Sequence, residues 1–155
     1  MFADNVIPSI LVHIGIIDLS STSNTASPTL ANIFPGAGTD ETTLSALFAA
    51  AAPSVRRTAK ASSVPVDGPV LTPAQSYVLR AAAIEACDRI VARAHSMSEV
   101  AGPEQSGGGD GGSGRPSWLK NISARVLDRC LKAIAKDRAD YRALPRFVLR
   151  NTPFF

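Results

Sequence analysis

The fold of this chain is decided by residues 72–95, which read TPAQSYVLRAAAIEACDRIVARAH. Thr72 is a favoured N-cap residue, Pro73 suits the first helical position, and Gln75 completes a capping box. The segment therefore predicts one long helix from residue 73 to about residue 95. Its buried stripe is predicted from the helical spacing of apolar side chains and consists of Tyr77, Ala81, Ile84, Cys87, Val91 and Ala94.

Three segments outside this helix carry weaker helical signals. Residues 6–14 place Ile7, Ile10, Leu11 and Ile14 at the i, i+3, i+4, i+7 spacing of one buried face. Asp4 and Asn5 are both suitable N-caps for that helix, and Gly15 suits the position after its end. Asp40 could cap a second helix over residues 41–51, and residues 137–144 could form one more turn.

A further helix is predicted over residues 123–136, with Ser123 as its cap. Its apolar side chains share one face and are Val126, Leu127, Cys130, Leu131 and Ile134. Behind this helix, the apolar tail of Phe147, Val148, Leu149 and the terminal Phe154-Phe155 is expected to dock on the body, because its exposure to water is costly.

The remaining sequence has the composition of loops. Eleven glycines and eleven prolines fall largely between the helical segments, and flexible insertions are predicted at about 20–38, 53–71 and 98–116. No run alternates apolar and polar residues as a half-buried strand does. The sequence predicts an all-α, small irregular helical domain with long disordered loops.

Bulk composition excludes several classes of protein. No segment has the roughly 18 consecutive apolar residues of a membrane span, and no basic region precedes the apolar stretch 6–17 as in a signal peptide. A cytoplasmic protein without membrane contact is therefore expected. The two cysteines, Cys87 and Cys130, have no nearby cysteine partner and are expected to be buried free thiols. No metal site and no cofactor are expected.

Net charge is +3, and the basic residues of the last third are spread along the predicted helix. A solvated helix face explains that pattern, and a weak phosphate-attracting surface is the alternative. Direct RNA binding is not expected, because no aromatic residues for base stacking are interleaved with the basic ones. His13 is expected to be packed or half-exposed, His95 lies at a helix end, and Asp128 and Asp137 fit surface ion pairs.

Asp4 stands out as a lone carboxylate between the apolar pairs Phe2-Ala3 and Val6-Ile7, at the start of a helix. One interpretation is an ordinary helix cap. The other is a carboxylate that the helix N-terminus keeps ionised, and that faces positive charge developing at the C1 atom of a sugar. Spacing alone leaves both interpretations open.

The same block resembles a known family. Phe2-Ala3-Asp4, then Pro8, then Leu11-Val12-His13 is similar to the FADxxxPxxLVH segment of the queuosine salvage family, the queuosine 5′-phosphate N-glycosylases. Further similarity is found at Leu79-Arg80-Ala81 through Cys87, at Leu127-Asp128, and at Arg146 with the final Phe154-Phe155. The resemblance implies hydrolysis of the N-glycosidic bond of queuosine 5′-monophosphate, which releases queuine for tRNA modification. It also implies Asp4 as the catalytic residue and a small-molecule nucleotide as the partner.

The chain departs from the family pattern at several positions. Val6 and Ser9 stand where family members often have arginine and glutamine, and Lys132 stands where a tryptophan follows Leu131. Family members also carry a long portion before this segment, so the resemblance implies that residues 1–155 are a single partial domain, the C-terminal part of a larger helical glycosylase-like fold. The alternative function is a non-catalytic helical remnant or interaction module without a substrate pocket.

Overall fold

A computed structural model describes residues 4–19, 30, 33–49, 67–99 and 117–149, and within them the chain is mostly helical. The elements in chain order are α1 (Val6–His13), α2 (Glu41–Phe48), β1 (Asp67–Val70), α3 (Pro73–Glu99), a 3-10 turn (Ser117–Asn121), α4 (Ala124–Asp137), α5 (Ala139–Arg142) and β2 (Arg146–Val148). None of the described helices has the length and apolar character needed to span a membrane.

The caps predicted from sequence begin three of these helices. The Thr72 amide donates to Gln75 Oε1 at 2.9 Å, and the Gln75 amide donates to Thr72 Oγ1 at 3.2 Å, so the capping box is confirmed. Asp40 accepts hydrogen bonds from two amides of α2, and Ser123 accepts one from Val126 of α4. Side-chain oxygens thus satisfy N–H groups that the first turn of a helix leaves without partners.

A glycine follows the end of helix α1, as the sequence predicts. Gly15 has a φ of 74°, its amide donates to Val12 O at 3.0 Å, and the Ile16 amide donates to Leu11 O at 2.9 Å. These two bonds make a Schellman motif, which needs a left-handed residue that glycine adopts without a steric penalty.

The expectation of an all-helical domain without strands is wrong in one respect. β1 and β2 form a two-stranded parallel sheet, and the Leu71 amide extends the pairing to Val148 O at 2.9 Å. Strand β1 falls within the segment 53–71, where a flexible insertion was predicted. The strands have only four and three residues, which is too short to show alternating apolar and polar residues. They also approach closely at Gly68, where a Cβ would lie 2.7 Å from Arg146 O.

Strand β2 is anchored through the backbone of Phe147, whose side chain is completely buried. The Phe147 amide donates to Ser9 Oγ at 3.2 Å, and its carbonyl accepts from Asn5 Nδ2 at 2.8 Å. Asn5, the N-cap of α1, and Ser9 within the helix lie one turn apart and thus hold both polar groups of one residue. The predicted docking of the tail is confirmed for Phe147 and Leu149, while Phe154 and Phe155 lie outside the described residues.

The predicted buried faces of α3 and α4 need correction. On α3 the most buried side chains are Ser76, Leu79, Ala83 and Cys87, whereas Tyr77 is 69% exposed. Ile84 on α3 and Val126 and Ile134 on α4 are exposed as well, and Cys130 is an exposed rather than a buried thiol. The predicted stripes are confirmed at Cys87 and Ala94 of α3 and at Leu131 of α4, which are buried.

The segment at residues 33–40 packs against the end of α1 through two glycines. Gly38 has a φ of 73°, and a Cβ built there would lie 2.7 Å from the Gly15 Cα and 2.8 Å from Val12 O. This part of the predicted insertion 20–38 is therefore packed, as the burial of Phe34 also shows. The rest of that insertion, apart from Leu30, and residues 53–66 and 100–116 lie outside the described residues.

We expect Gly38→Ala to destabilise the protein by roughly 2–3 kcal/mol. A left-handed backbone is itself costly for alanine, at about 1–2 kcal/mol, and the new methyl group would force two backbones apart. Gly36→Ala is the matched control, because Gly36 has a φ of 75° but no atom within 4 Å of the added Cβ. Equal losses in urea unfolding for the two variants would contradict the close packing of Gly38 on Gly15.

His13 ties the last turn of α1 to the segment before β2. Its Nε2 lies 3.0 Å from Pro145 O, and its ring meets Phe34 edge-on with centroids 5.1 Å apart. Because Pro145 O can only accept, Nε2 must carry the proton. Burial lowers the pKa of His13, although the bond to Pro145 opposes that change.

Stability should therefore fall as pH drops through the range in which unfolded histidine takes up a proton. Below its ordinary pKa near 6.5 the unfolded chain binds more protons than the folded one, so the contribution of His13 is complete above that pH and lost below it. We expect the melting temperature to fall between pH 7.5 and pH 5.5, and His13→Gln to reduce that fall. His95→Gln serves as the control, and an unchanged pH slope in His13→Gln would contradict this assignment.

Candidate functional site

Asp4 lies immediately before α1 and uses one carboxylate oxygen to hold the helix start. Its Oδ1 accepts from the Val6 amide at 3.2 Å. The N-cap residue is Asn5, whose side chain makes no cap bond and instead donates to Phe147 O. Asp4 thus performs part of the capping role predicted for it, and its second oxygen points elsewhere.

The second carboxylate oxygen of Asp4 forms an ion pair with Lys132, which also forms an ion pair with Asp128. Lys132 Nζ lies 3.3 Å from Asp4 Oδ2 and 3.3 Å from Asp128 Oδ2. Asp128 and Lys132 stand at i and i+4 on α4, which places both side chains on the same side of that helix. The two carboxylate oxygens that contact Nζ can be no further apart than twice this distance.

The two carboxylates differ sharply in their surroundings. The Asp4 side chain is 36% exposed, so solvent or a ligand can reach it. The Asp128 side chain is only 7% exposed, and its Oδ1 is buried with no hydrogen-bond partner among the described residues. A buried carboxylate oxygen is costly without a donor, and this one is enclosed by protein, so a ligand at the surface does not reach it.

Sequence reasoning placed Asp128 on the surface, and the structure buries it. The available signal was its spacing, because Asp128 precedes the buried Leu131 by three residues and Ala135 by seven. Helix positions at those separations share one face. The predicted apolar stripe contained Leu131 but also Val126 and Ile134, which are exposed, and it left Asp128 on the solvent side.

Lys132 carries its positive charge firmly. Partial burial opposes ionisation, but the hydrogen bonds that Lys132 donates to Asp128 and Asp4, together with the negative charges of the two carboxylates, raise the pKa of Lys132. With both carboxylates ionised, the group of Asp4, Asp128 and Lys132 holds one net negative charge. We call these three residues the carboxylate–lysine group.

The carboxylate–lysine group is brought next to the basic start of β2. Asn5, which follows Asp4, binds the carbonyl of Phe147, which follows Arg146. Burial is the main reason why the pKa of Arg146 is lowered; the charge of Asp4 opposes that change and the charge of Arg142 adds to it. The Arg80 guanidinium lies over the Phe147 ring, 6.0 Å from its centroid. Negative and positive groups therefore meet at the junction of α1, α4 and β2.

Other chemically active residues lie away from this junction or are unsuited to catalysis. His95 Nε2 lies 2.8 Å from Ile122 O. Burial, together with the charges of Asp128 and Asp88, raises the pKa of the Cys87 thiol to about 11, so it is protonated at neutral pH and is a poor nucleophile. Within the described ranges, no three histidine, cysteine or acidic residues are grouped so that they could hold a metal ion.

The arrangement can therefore present one partly exposed carboxylate, that of Asp4, to a positive charge, beside the enclosed carboxylate of Asp128. Phe2 and Ala3 of the Phe-Ala-Asp block lie outside the described residues. Comparison with protein-family models, curated proteins and solved structures finds no match for this chain.

Proposed function

We propose that the protein hydrolyses the N-glycosidic bond of queuosine 5′-monophosphate and releases queuine, with Asp4 as the catalytic residue. The observation that carries the proposal is the Asp4 carboxylate, which is held at the start of α1 and partly exposed. It belongs to a group that keeps one net negative charge. The resemblance of residues 2–13 to the queuosine salvage family supplies the identity of the substrate.

The chemistry of the substrate explains why such a carboxylate is needed. The queuine base is a 7-deazaguanine and has no N7 nitrogen that could be protonated to help it leave. More of the barrier must then be removed by stabilising the positive charge that develops on the ribosyl ring. A fixed anion that faces that charge in a partly water-excluded site is an effective stabiliser.

In the proposed reaction the bond between C1′ and the base nitrogen breaks, and the electron pair leaves with the base. Water forms the new bond to C1′, Asp4 takes up a proton from that water, and the departing base acquires a proton from solvent. Lys132 lies between the two carboxylates and holds Asp4 in place through its ion pair.

The proposal is tested by incubating the purified chain with queuosine 5′-monophosphate and separating the products by liquid chromatography. We expect free queuine and ribose 5-phosphate in equal amounts. A substrate with guanine in place of queuine is the control for base selectivity. Absence of both products and of any binding by calorimetry would favour the second candidate function.

That second candidate is a non-catalytic interaction module, and one specific observation favours it. Helices α3 and α4 contact each other. Each leaves two large apolar side chains exposed, which are Tyr77 and Ile84 on α3 and Val126 and Ile134 on α4. Exposed apolar surface of this kind is typical of protein–protein contacts. Incubation with queuosine 5′-monophosphate separates the two functions, because an interaction module has no reason to bind the nucleotide.

A further inference from the structure

Helix α3 carries an exposed row of apolar side chains in its first half. Tyr77, Ala81 and Ile84 stand at positions i, i+4 and i+7, and all three are exposed. Further along the same face, His95 is half-buried, and its Nε2 contacts Ile122 O just after the 3-10 turn. The described part of the chain therefore covers only the second half of this face. We call Tyr77, Ala81 and Ile84 the α3 row.

Helix α4 carries a second exposed row, which matches the first in length. Val126, Cys130 and Ile134 stand at positions i, i+4 and i+8, and all three are exposed. At the rise of an α-helix, the α3 row is about 10 Å long and this α4 row about 12 Å. Two helices with such rows can pack together, with the side chains of one between those of the other.

The ridge beside the α4 row carries positive charge. Arg125, Arg129 and Lys136 lie on that ridge and are exposed. The α4 helix of a second copy is therefore a poor partner for the α4 row, because the two basic ridges would repel each other. A suitable partner combines an apolar row with an acidic side chain.

The α3 row has this combination. Asp88 continues the row four residues after Ile84 and is exposed. Among the described residues, no ion pair includes Asp88 or Arg125. Each of these two charges is thus available to a partner.

Charge also decides the relative direction of the two helices. When they run antiparallel, Ile84 packs on Val126. Asp88 then reaches Arg125 at the start of α4, where the helix dipole also favours a negative charge. When they run parallel, Asp88 instead lies against Asp137, which ends α4 and is exposed. The antiparallel arrangement pairs opposite charges, whereas the parallel one opposes like charges.

We propose that the α3 row of one copy of this chain packs antiparallel on the α4 row of a second copy. Because α3 and α4 contact each other within one chain, a two-fold axis lets the same contact form twice, as in most homodimers. Two short rows bury little surface, so the dimer is weak and depends on protein concentration. The contact is independent of the proposed reaction, because neither row includes the carboxylate–lysine group.

The first experiment is sedimentation velocity of the full chain at increasing protein concentration. We expect a monomer–dimer equilibrium for the wild type. Asp88→Arg and Arg125→Asp should each weaken association by about ten-fold or more, because like charges then face each other. An equimolar mixture of these two variants should associate as the wild type does, since every altered charge then faces an opposite one. Arg93→Asp, an exposed change on α3 outside the row, should have no effect.

The second experiment tests the register by cross-linking. The antiparallel contact sets Ala81 of one copy opposite Cys130 of the other, so Ala81→Cys should form a disulfide-linked dimer when it is oxidised with copper phenanthroline. The wild type should stay unlinked, because its two Cys130 thiols lie on separate contacts. The double variant Ala81→Cys, Cys130→Ser is the control and should also stay unlinked.

Several outcomes would overturn the contact. They are a wild type that stays monomeric at every concentration, association that neither charge variant weakens, and no recovery in the mixture of folded variants. Disulfide linkage of wild-type copies through Cys130 would place α4 against α4 instead. A monomeric chain that binds vesicles of phosphatidylserine would assign the α4 row to a membrane surface.

The assay for queuine release separates this contact from the proposed function. A dimer that depends on Asp88 and Arg125 but releases no queuine would support the contact and overturn the proposed reaction. Release of queuine by a chain that stays monomeric would do the reverse.

Discussion

Phe147→Ala is expected to lower the free energy of unfolding by about 3–5 kcal/mol, the usual cost of removing a fully buried phenylalanine side chain. Phe147 is the largest side chain that the described core encloses completely. Its ring packs in the cluster that joins α1, α3 and α4, so its loss leaves a cavity at the point where these helices meet. A small domain is stabilised by about 5–15 kcal/mol in total, and much of the variant should therefore be unfolded in dilute urea.

The matched control for this substitution is Phe48→Ala. Phe48 is 63% exposed at the end of α2, so removal of its ring should change stability by about 0.5 kcal/mol or less. Both variants are compared with the wild type by urea unfolding followed by circular dichroism. Similar losses for Phe147→Ala and Phe48→Ala would contradict the central position of Phe147 in the core.

Asp4→Asn is expected to reduce the rate of queuine release by about 10²–10³-fold, the typical effect of removing one well-placed electrostatic group. Asparagine has nearly the same shape, and its side-chain oxygen can still accept from the Val6 amide. The ion pair with Lys132 is lost, but its two side chains are 39% and 36% exposed, and such pairs contribute about 1 kcal/mol or less. The variant should stay folded, with a melting temperature close to that of the wild type.

Asp137→Asn provides the control for a change of one negative charge. Asp137 ends α4 and is exposed, so this variant should keep both activity and stability. If Asp4→Asn retained activity within a few-fold of the wild type, Asp4 would have only its role at the start of α1. If instead its melting temperature fell sharply, the ion pair with Lys132 would be mainly structural.

Local signals in the sequence predicted the helices well, because the groups that begin and end a helix lie within a few residues of each other. The box of Thr72 and Gln75, the cap at Ser123 and the glycine after α1 are all of this kind. The short sheet was not predictable in the same way. β1 and β2 are paired across more than seventy residues of chain, and neither strand is long enough to show a period of its own.

The candidate site was predictable only in part. Asp4 was identified from its apolar neighbours and from the resemblance of residues 2–13. Its partners Asp128 and Lys132 lie far along the chain, and their position beside Asp4 depends on how α4 packs against α1. Apolar spacing placed Leu127 and Leu131 of α4 correctly toward the core, but it added Val126, Cys130 and Ile134, which are exposed. Tertiary packing, rather than helix propensity, therefore determines which acid is buried.

The central claim is that a carboxylate at the start of α1 enables this chain to break an N-glycosidic bond. Its most direct test is the amount of queuine released from queuosine 5′-monophosphate by equal concentrations of folded wild type and folded Asp4→Asn. The account predicts steady release by the wild type and a rate about 10²–10³-fold lower for the variant. Equal rates for the two proteins, or no release by a wild type that is folded and binds the nucleotide, would contradict it.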